Sequence, residues 1–183
     1  MKKIFFVTTN PGKMREATGI GRRFGITFVQ NSYDCFEVQS DNLGEVAGEA
    51  AKDSFAHLKT PLIVEDSGVF IDALKGFPGP YSAYVYKTVG TEGVLKLMEG
   101  LKDRKAVMRS SVAYADGKQI KLFNGEVSGI ISDTKKGSEG FGYDPIFIPD
   151  GKAKTFAEDT AYKLQVSHRA KALRAFCEWF SKK

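Results

Sequence analysis

Short apolar runs alternate along this chain with polar breaks that carry glycine or proline. The breaks divide it into strand and helix signals. Lys3 to Thr8 (K-I-F-F-V-T) is an unbroken run with aromatic and β-branched residues, which predicts a short buried strand. The turn signal Thr8-Thr9-Asn10-Pro11-Gly12 follows, and Lys13 to Phe24 then reads as a helix. A second helix is expected from Leu43 to Leu58, stopped by Thr60-Pro61. Leu62-Ile63-Val64 predicts a short buried strand running into the pair Glu65-Asp66, and Val69 to Leu74 predicts another. Gly76-Phe77-Pro78-Gly79-Pro80 should fit no regular element. Gly93 to Leu101 is expected to be helical, with Val94, Leu97, Met98 and Leu101 on one face. Ala106 to Ala115 and Gln119 to Ser132 read as antiparallel strands joined at Asp116-Gly117. Residues 137–151 hold four glycines and two prolines and read as loop. Ser167 is a suitable N-cap for a last helix whose Ala170, Leu173, Phe176, Cys177 and Phe180 form a buried stripe. The whole predicts an α/β protein in one body, without repeats or linkers.

Composition narrows the class. At 183 residues, 42% hydrophobic and 27% charged, the chain is sized and composed like one globular domain. No run of about 18 apolar residues occurs, so no membrane span is expected. Only Ile4 to Val7 follow Met1-Lys2-Lys3 before Thr8, too few for a secretory leader. Cys35 and Cys177 are far apart with no C-x-x-C, so neither a disulfide framework nor a zinc knuckle is expected, and a reducing cytoplasm is. The net charge of +5 sits in residues 163–183, where Lys163, Arg169, Lys171, Arg174, Lys182 and Lys183 are opposed by Glu178 alone. Such a segment suits a nucleic-acid footprint, a phosphate site or a solvated helix end.

Three segments carry candidate chemistry. Thr8-Thr9-Asn10-Pro11-Gly12-Lys13 lies between a strand and a helix, where backbone N–H groups and a lysine bind phosphate. It lacks the upstream glycine of a Walker A loop, and a plain N-cap turn explains it about equally well. Glu65-Asp66-Ser67-Gly68 follows an apolar strand, placing two carboxylates at its carboxyl end. Such oxygens suit Mg²⁺, although neighbours on an extended chain face opposite ways and would not act as a dyad. A turn with Asp and Gly in their usual places is the competing reading. Gly140-Phe141-Gly142-Tyr143-Asp144-Pro145 could bring a planar ligand onto an aromatic ring, with Asp144 as an acceptor. Ser167-His168-Arg169 would add donors at a helix start, and cationic groups there suggest a negative ligand nearby.

In order and spacing these blocks resemble the inosine triphosphate pyrophosphatase family. The match runs through T-T-N-P-G-K-M-R-E (Thr8 to Glu16), V-E-D-S-G (Val64 to Gly68), G-F-P-G-P-Y-S-A (Gly76 to Ala83), G-F-G-Y-D-P-I-F (Gly140 to Phe147) and S-H-R-A-K-A-L (Ser167 to Leu173). The resemblance implies one two-lobed domain over residues 1–183, with a long twisted mixed β-sheet, flanking helices and an active cleft between the lobes. It implies a Mg²⁺-dependent homodimer that hydrolyses dITP, ITP or XTP to the monophosphate and pyrophosphate. By position, Thr8, Thr9, Asn10, Pro11, Gly12 and Lys13 would cradle the triphosphate, and Asp66 would be general base and metal ligand with Glu37 as the other metal carboxylate. Ser67 would touch substrate, Phe141 would stack on the purine, and Gly142, Tyr143 and Asp144 would complete the base pocket. Lys163, His168 and Arg169 match the remaining nucleotide contacts. The chain departs from the family pattern on the second helix, where many members carry a phosphate-binding lysine. Ala50 occupies that place, and Lys52, two residues on, should face away.

The implied chemistry is physically coherent. Lys13, Lys163 and Arg169 could offset phosphate charge, including that building on a leaving pyrophosphate. Hypoxanthine presents a 6-oxo acceptor and an N1–H donor where adenine has the reverse. Donors from His168 or Arg169 and an acceptor at Asp144 would separate the two by up to about 10⁴-fold. A related pyrophosphatase acting on pyrimidine or methylated nucleotides is the nearest rival. A nucleic-acid-binding module, suggested by the basic end, leaves the E-D-S-G and G-F-G-Y-D-P segments unexplained, so neither nucleic acid nor membrane is an expected partner.

Overall fold

The computed structural model describes residues 2–183. Seven strands, β1 (Lys2–Val7), β2 (Ile26–Asn31), β3 (Leu62–Ile71), β4 (Pro78–Gly79), β5 (Lys105–Ala115), β6 (Ile120–Ile131) and β7 (Phe147–Pro149), form a sheet in the order β2-β1-β3-β5-β6-β7, with β4 on β3. The sheet is mixed: β1 runs parallel to β2 and β3, whereas β3–β4 and β6–β7 are antiparallel. Among the described residues six α-helices accompany it: α1 (Pro11–Arg22), α2 (Leu43–Leu58), α3 (Ser82–Thr88), α4 (Gly90–Leu97), α5 (Thr160–Val166) and α6 (His168–Ser181). This is the expected α/β class.

The chain forms two compact units. The first comprises Met1–Asp66, Ser110–Gly125 and His168–Lys183; the second comprises Ser67–Arg109 and Glu126–Ser167. In the first unit, Ile4, Phe6, Ile20, Phe28, Ile63, Leu173 and Phe176 lie in one apolar core, and α2 adds Ala47, Ala50 and Ala51 beside Val7 and Val64 in another. The second unit has its own core around Val69, Ile71, Met98, Ile131, Phe147 and Phe156. Both crossovers of the first unit follow from pattern. An apolar run gives β1, and α1 and α2 return the chain for parallel pairing of β2 and β3 with it.

Several expectations are corrected. The first helix begins at Pro11, not Lys13, because Asn10 caps it and Pro11 and Gly12 form its first turn. The strand expected to stop at Val64 runs on to Ile71, so Glu65-Asp66-Ser67-Gly68 is mid-strand and not a turn at a strand end. Gly68 serves pairing there: a Cβ on it would meet the carbonyl of Gly79, and Ser82 Oγ joins Val69 N (2.9 Å) to Gly79 O (2.6 Å). Pro78-Gly79 forms the two-residue β4, since a proline is tolerated where a strand stays short and marginal. The helix expected over residues 93–101 starts at Gly90 and ends at Leu97; it buries Val94, Met98 is buried just past its end, and Leu97 and Leu101 stay exposed. Residues 137–151 are not all loop, because Phe147–Pro149 pairs with β6. Ser167 does stand at the N-cap position expected of it, extended (φ −62°, ψ 158°) directly before α6, and its N–H also closes α5 on Lys163 O at 2.9 Å.

Gly125 sets the seat of α6. A Cβ there would collide with the backbone O of His168 and approach Ala172 N to 2.6 Å. Gly125→Ala is therefore expected to lower stability by about 1–3 kcal/mol, read as a fall in urea midpoint. An unchanged midpoint would mean that α6 can back away at no cost.

Candidate functional site

The first unit assembles its charged loop from the cap upward. Asn10 is extended (φ −87°, ψ 111°), and its Oδ1 accepts from Gly12 N at 2.8 Å and Lys13 N at 3.3 Å. Asn10 N in turn donates to Thr8 Oγ1 at 3.1 Å, and Gln30 Nε2 donates to Thr8 O at 2.9 Å. The loop is thus held by its own polar side chains. Two of the N–H groups that sequence reasoning offered to phosphate are donated to Asn10, so an anion there would have to share or replace that cap. Thr9 and Pro11 are exposed, Thr8 and Lys13 partly so.

Lys13 leads to the centre of this unit. Its Nζ donates to Glu65 O at 2.7 Å and lies 2.9 Å from Glu65 Oε2. Glu65 Oε1 accepts from Ser110 Oγ at 2.5 Å and pairs with Arg169 Nε at 3.0 Å. Arg169 Nη1 reaches Glu16 Oε2 on α1 at 3.1 Å. Burial alone would push the Glu65 carboxyl up, but Arg169, Lys13 and the Ser110 hydroxyl hold it well below the usual carboxylate range. Burial likewise opposes the Arg169 charge, and Glu65 and Glu16 more than restore it. Glu16 and Ser110 were not singled out from sequence. Glu16 does carry a signal, being a charged residue on the apolar side of α1, one position before the buried Ala17.

The other acidic candidates of this unit lie differently. Asp66 is the next residue on β3, half-buried, and by strand alternation it leaves the face that Glu65 occupies. Glu37 is exposed, in an irregular segment beyond the end of β2. That segment is tied to α2: Asp53 Oδ2 accepts from Tyr33 Oη at 3.1 Å and Phe36 N at 3.0 Å, and Tyr33 stacks on His57 at 4.3 Å. Among the described residues no group of three or more His, Cys, Asp and Glu side chains forms a metal cage. Mg²⁺ usually takes one or two hard carboxylates, with waters and substrate phosphates filling the remaining positions, and Asp66 and Glu37 are each donors of that chemical type. Lys52 is 66% exposed and pairs with Glu49 at 3.4 Å, while Ala50 is buried. His168 is buried at the start of α6.

In the second unit the aromatic block closes on itself. Asp144 Oδ2 accepts from Phe141 N at 2.8 Å and from Lys163 Nζ at 2.6 Å, and that ammonium stands 4.2 Å from the centre of the Phe141 ring. Asp144 and Lys163 are both buried. Gly140 has φ +78°, and a Cβ on it would overlap the Asp144 carboxylate, so this glycine makes room for the pair. Tyr143 is buried, donates its hydroxyl to Ser82 O at 2.9 Å, and has its phenol pushed far up by that burial. Phe141 and Gly142 remain partly exposed, as does Ser67 on β3. The structure thus gathers Phe141, Asp144 and Lys163 in one cluster. Lys163, expected among the cations facing phosphate, is committed to a carboxylate and a ring.

Fold and sites together define an α/β protein on a mixed seven-stranded sheet, with a capped lysine loop over a buried carboxylate in one unit and an aromatic–lysine–aspartate cluster in the other. The sequence model of the Ham1 family matches residues 4–179, and the chain belongs to that family. A dITP/XTP pyrophosphatase of Pyrococcus horikoshii is 51% identical over 179 residues, 97% of this chain and 96% of that protein. One of Methanopyrus kandleri is 51% identical over 180 residues, with the same coverage. The solved Ham1 protein of Staphylococcus aureus superposes with a TM-score of 0.85 at 29% identity, covering 99% of each chain. The resemblance drawn from the five blocks is borne out.

The depressed Glu65 carboxyl sets a pH dependence. Unfolded, it would titrate at about 4.3; folded, it titrates well below that. The unfolded state therefore takes up the proton first, so the stabilisation is complete above about pH 4.3 and is lost as the pH falls toward the folded value. Acid unfolding of the native chain should be steep below that point. Glu65→Gln should cost about 3–5 kcal/mol at neutral pH, by removing the buried carboxylate that Arg169 and Lys13 share, and should flatten the acid limb. Parallel acid limbs in urea-unfolding series would contradict this.

Proposed function

We propose that this protein hydrolyses non-canonical purine nucleoside triphosphates (dITP, ITP, XTP) to the nucleoside monophosphate and pyrophosphate, clearing them from the nucleotide pool. The observation that carries this reading is the pairing on β3. Glu65 is engaged with Lys13, Arg169 and Ser110, and its neighbour Asp66 lies half-buried on the other face of the strand, where we assign it the chemistry. The names of the relatives support the substrate class.

On this reading the loop from Thr8 to Lys13 receives the polyphosphate, with Ser67 as a further contact. Asp66 takes a proton from water, the water oxygen bonds to the α-phosphorus, and the bond from that phosphorus to the bridging oxygen breaks, so the electron pair leaves with pyrophosphate. Asp66 and Glu37 would hold Mg²⁺, which when bound supplies charge neutralisation at the phosphates. Phe141 stacks on the purine. Asp144 and Lys163, with Gly142 and Tyr143, shape the base pocket, and His168 and Arg169 offer donors to the 6-oxo group. No helix among the described residues is long and apolar enough to cross a membrane. We further infer one two-lobed catalytic domain that works in the cytoplasm as a homodimer on free nucleotides.

Asp66→Asn is expected to abolish turnover while substrate binding largely survives; near-normal kcat would overturn the assignment of the base. Phe141→Ala is expected to raise KM for dITP about 5- to 100-fold, the worth of one base–aromatic stack. A fall in kcat alone would give the ring a different role. Pyrophosphate release measured across ITP, XTP, ATP, GTP, UTP and TTP tests the substrate class, and equal rates on UTP and ITP would refute purine selection.

A further inference from the structure

Glu65 takes no part in the proposed hydrolysis, yet α1, β5 and α6 all send a polar group to it: Lys13, Ser110 and Arg169. Its side chain is 0% exposed, while that of Lys13 is 18% exposed. An ammonium carries three N–H donors on a flexible stem. Here the main-chain O of Glu65 takes one at 2.7 Å and the carboxylate Oε2 stands at 2.9 Å. One hydrogen bond and one ion pair to the same residue restrict where the remaining N–H donors of the ammonium can point. Lys13 stands on the first turn of α1, behind the Asn10 cap, and keeps part of its side chain accessible.

We propose that Glu65 is a positioning residue that aims Lys13, so that one N–H of its ammonium is presented to a phosphate oxygen of the substrate's polyphosphate, and that Glu65 is not a metal ligand. The rotamer freedom of Lys13 is then lost on folding and not on binding, which is the gain of preorganisation. Arg169 and Ser110 keep the carboxylate from turning, and Glu16 keeps Arg169 balanced. The second clause of the proposal follows from occupancy: one carboxylate oxygen faces Lys13, and the other faces Arg169 and Ser110. The proposal rests on the reading of Lys13 as a phosphate contact, and its test separates the two.

The test is a double-mutant cycle on metal-free protein, with inorganic tripolyphosphate as probe and calorimetric titration as readout, accompanied by KM for dITP. Lys13→Met should weaken tripolyphosphate binding about 10- to 100-fold, the worth of one charge-assisted hydrogen bond. Glu65→Gln should weaken it by a comparable factor, and the double variant should bind no worse than Lys13→Met alone. Losses that multiply in the double variant would overturn the proposal and reduce Glu65 to a core ion pair. Should Lys13→Met bind like the native chain, the phosphate reading itself fails and carries the proposal with it. If Glu65→Gln does not fold, Glu65→Asp takes its place in the cycle. It keeps a negative charge opposite Arg169 while withdrawing the carboxylate from Lys13 by one methylene. It should lose affinity in the native background and none beside Lys13→Met; equal losses in both backgrounds overturn the proposal.

Discussion

A carboxylate with no exposed surface sits in the middle of β3, and the first unit is arranged around the cost of keeping it charged. Isolated, such a group would cost several kcal/mol and would take up a proton. Glu65 stays ionised because three elements each deliver a partner: α1 brings Lys13, α6 brings Arg169 and β5 brings Ser110. Each delivery has its own structural condition. Asn10 starts α1 early enough to place Lys13 in its first turn, and Gly125 lets the start of α6 approach β6 without a Cβ in the way. Glu16 then balances Arg169, so two cations and two carboxylates close the chain. On the proposed reading the cluster links packing to function, since the same lysine that meets the buried charge stands in the loop assigned to phosphate.

Much of the fold is legible in the sequence because burial and periodicity agree there. The helix read from Leu43 to Leu58 is observed with those bounds, since Asn42 caps it and an unbroken alanine-rich face packs inward. The Asp116-Gly117 hairpin signal also marks the turn between β5 and β6. The strand misreadings share one physical cause: local turn chemistry competes with pairing, and pairing wins. Asp66-Ser67-Gly68 has the composition of a turn, but strand pairing on either side keeps β3 extended through it. Proline made residues 76–80 and 137–151 look irregular, although short strands on β3 and β6 accept it.

The sites were legible as blocks and illegible as contacts. Sequence spacing brings Phe141, Asp144 and Lys163 into view but cannot say that the lysine's partner is Asp144, because that pairing depends on Gly140 vacating the space of a side chain. Ser110 looks like any small residue in a strand, and only the register of β5 against Glu65 gives it meaning. Lys52 is the opposite case: helical geometry alone says it turns away from Ala50's face, and it lies exposed against Glu49.

The basic surplus of residues 163–183 acquires a different sense from these contacts. Lys163 is neutralised by Asp144, Arg169 by Glu16 and Glu65, and Lys183 by Asp116. The cations nearest the proposed chemistry are therefore already balanced within the chain. A polyphosphate, on the proposed reading, gains little from net charge there and more from aimed donors, of which Lys13 would be one. On the proposed reading, the remaining charge of the substrate has to be met by a cation that arrives with it or waits on the carboxylates, as hard oxygen donors with open coordination positions allow. Half of the six basic side chains that first suggest a general attraction for anions are thus committed to the protein's own carboxylates.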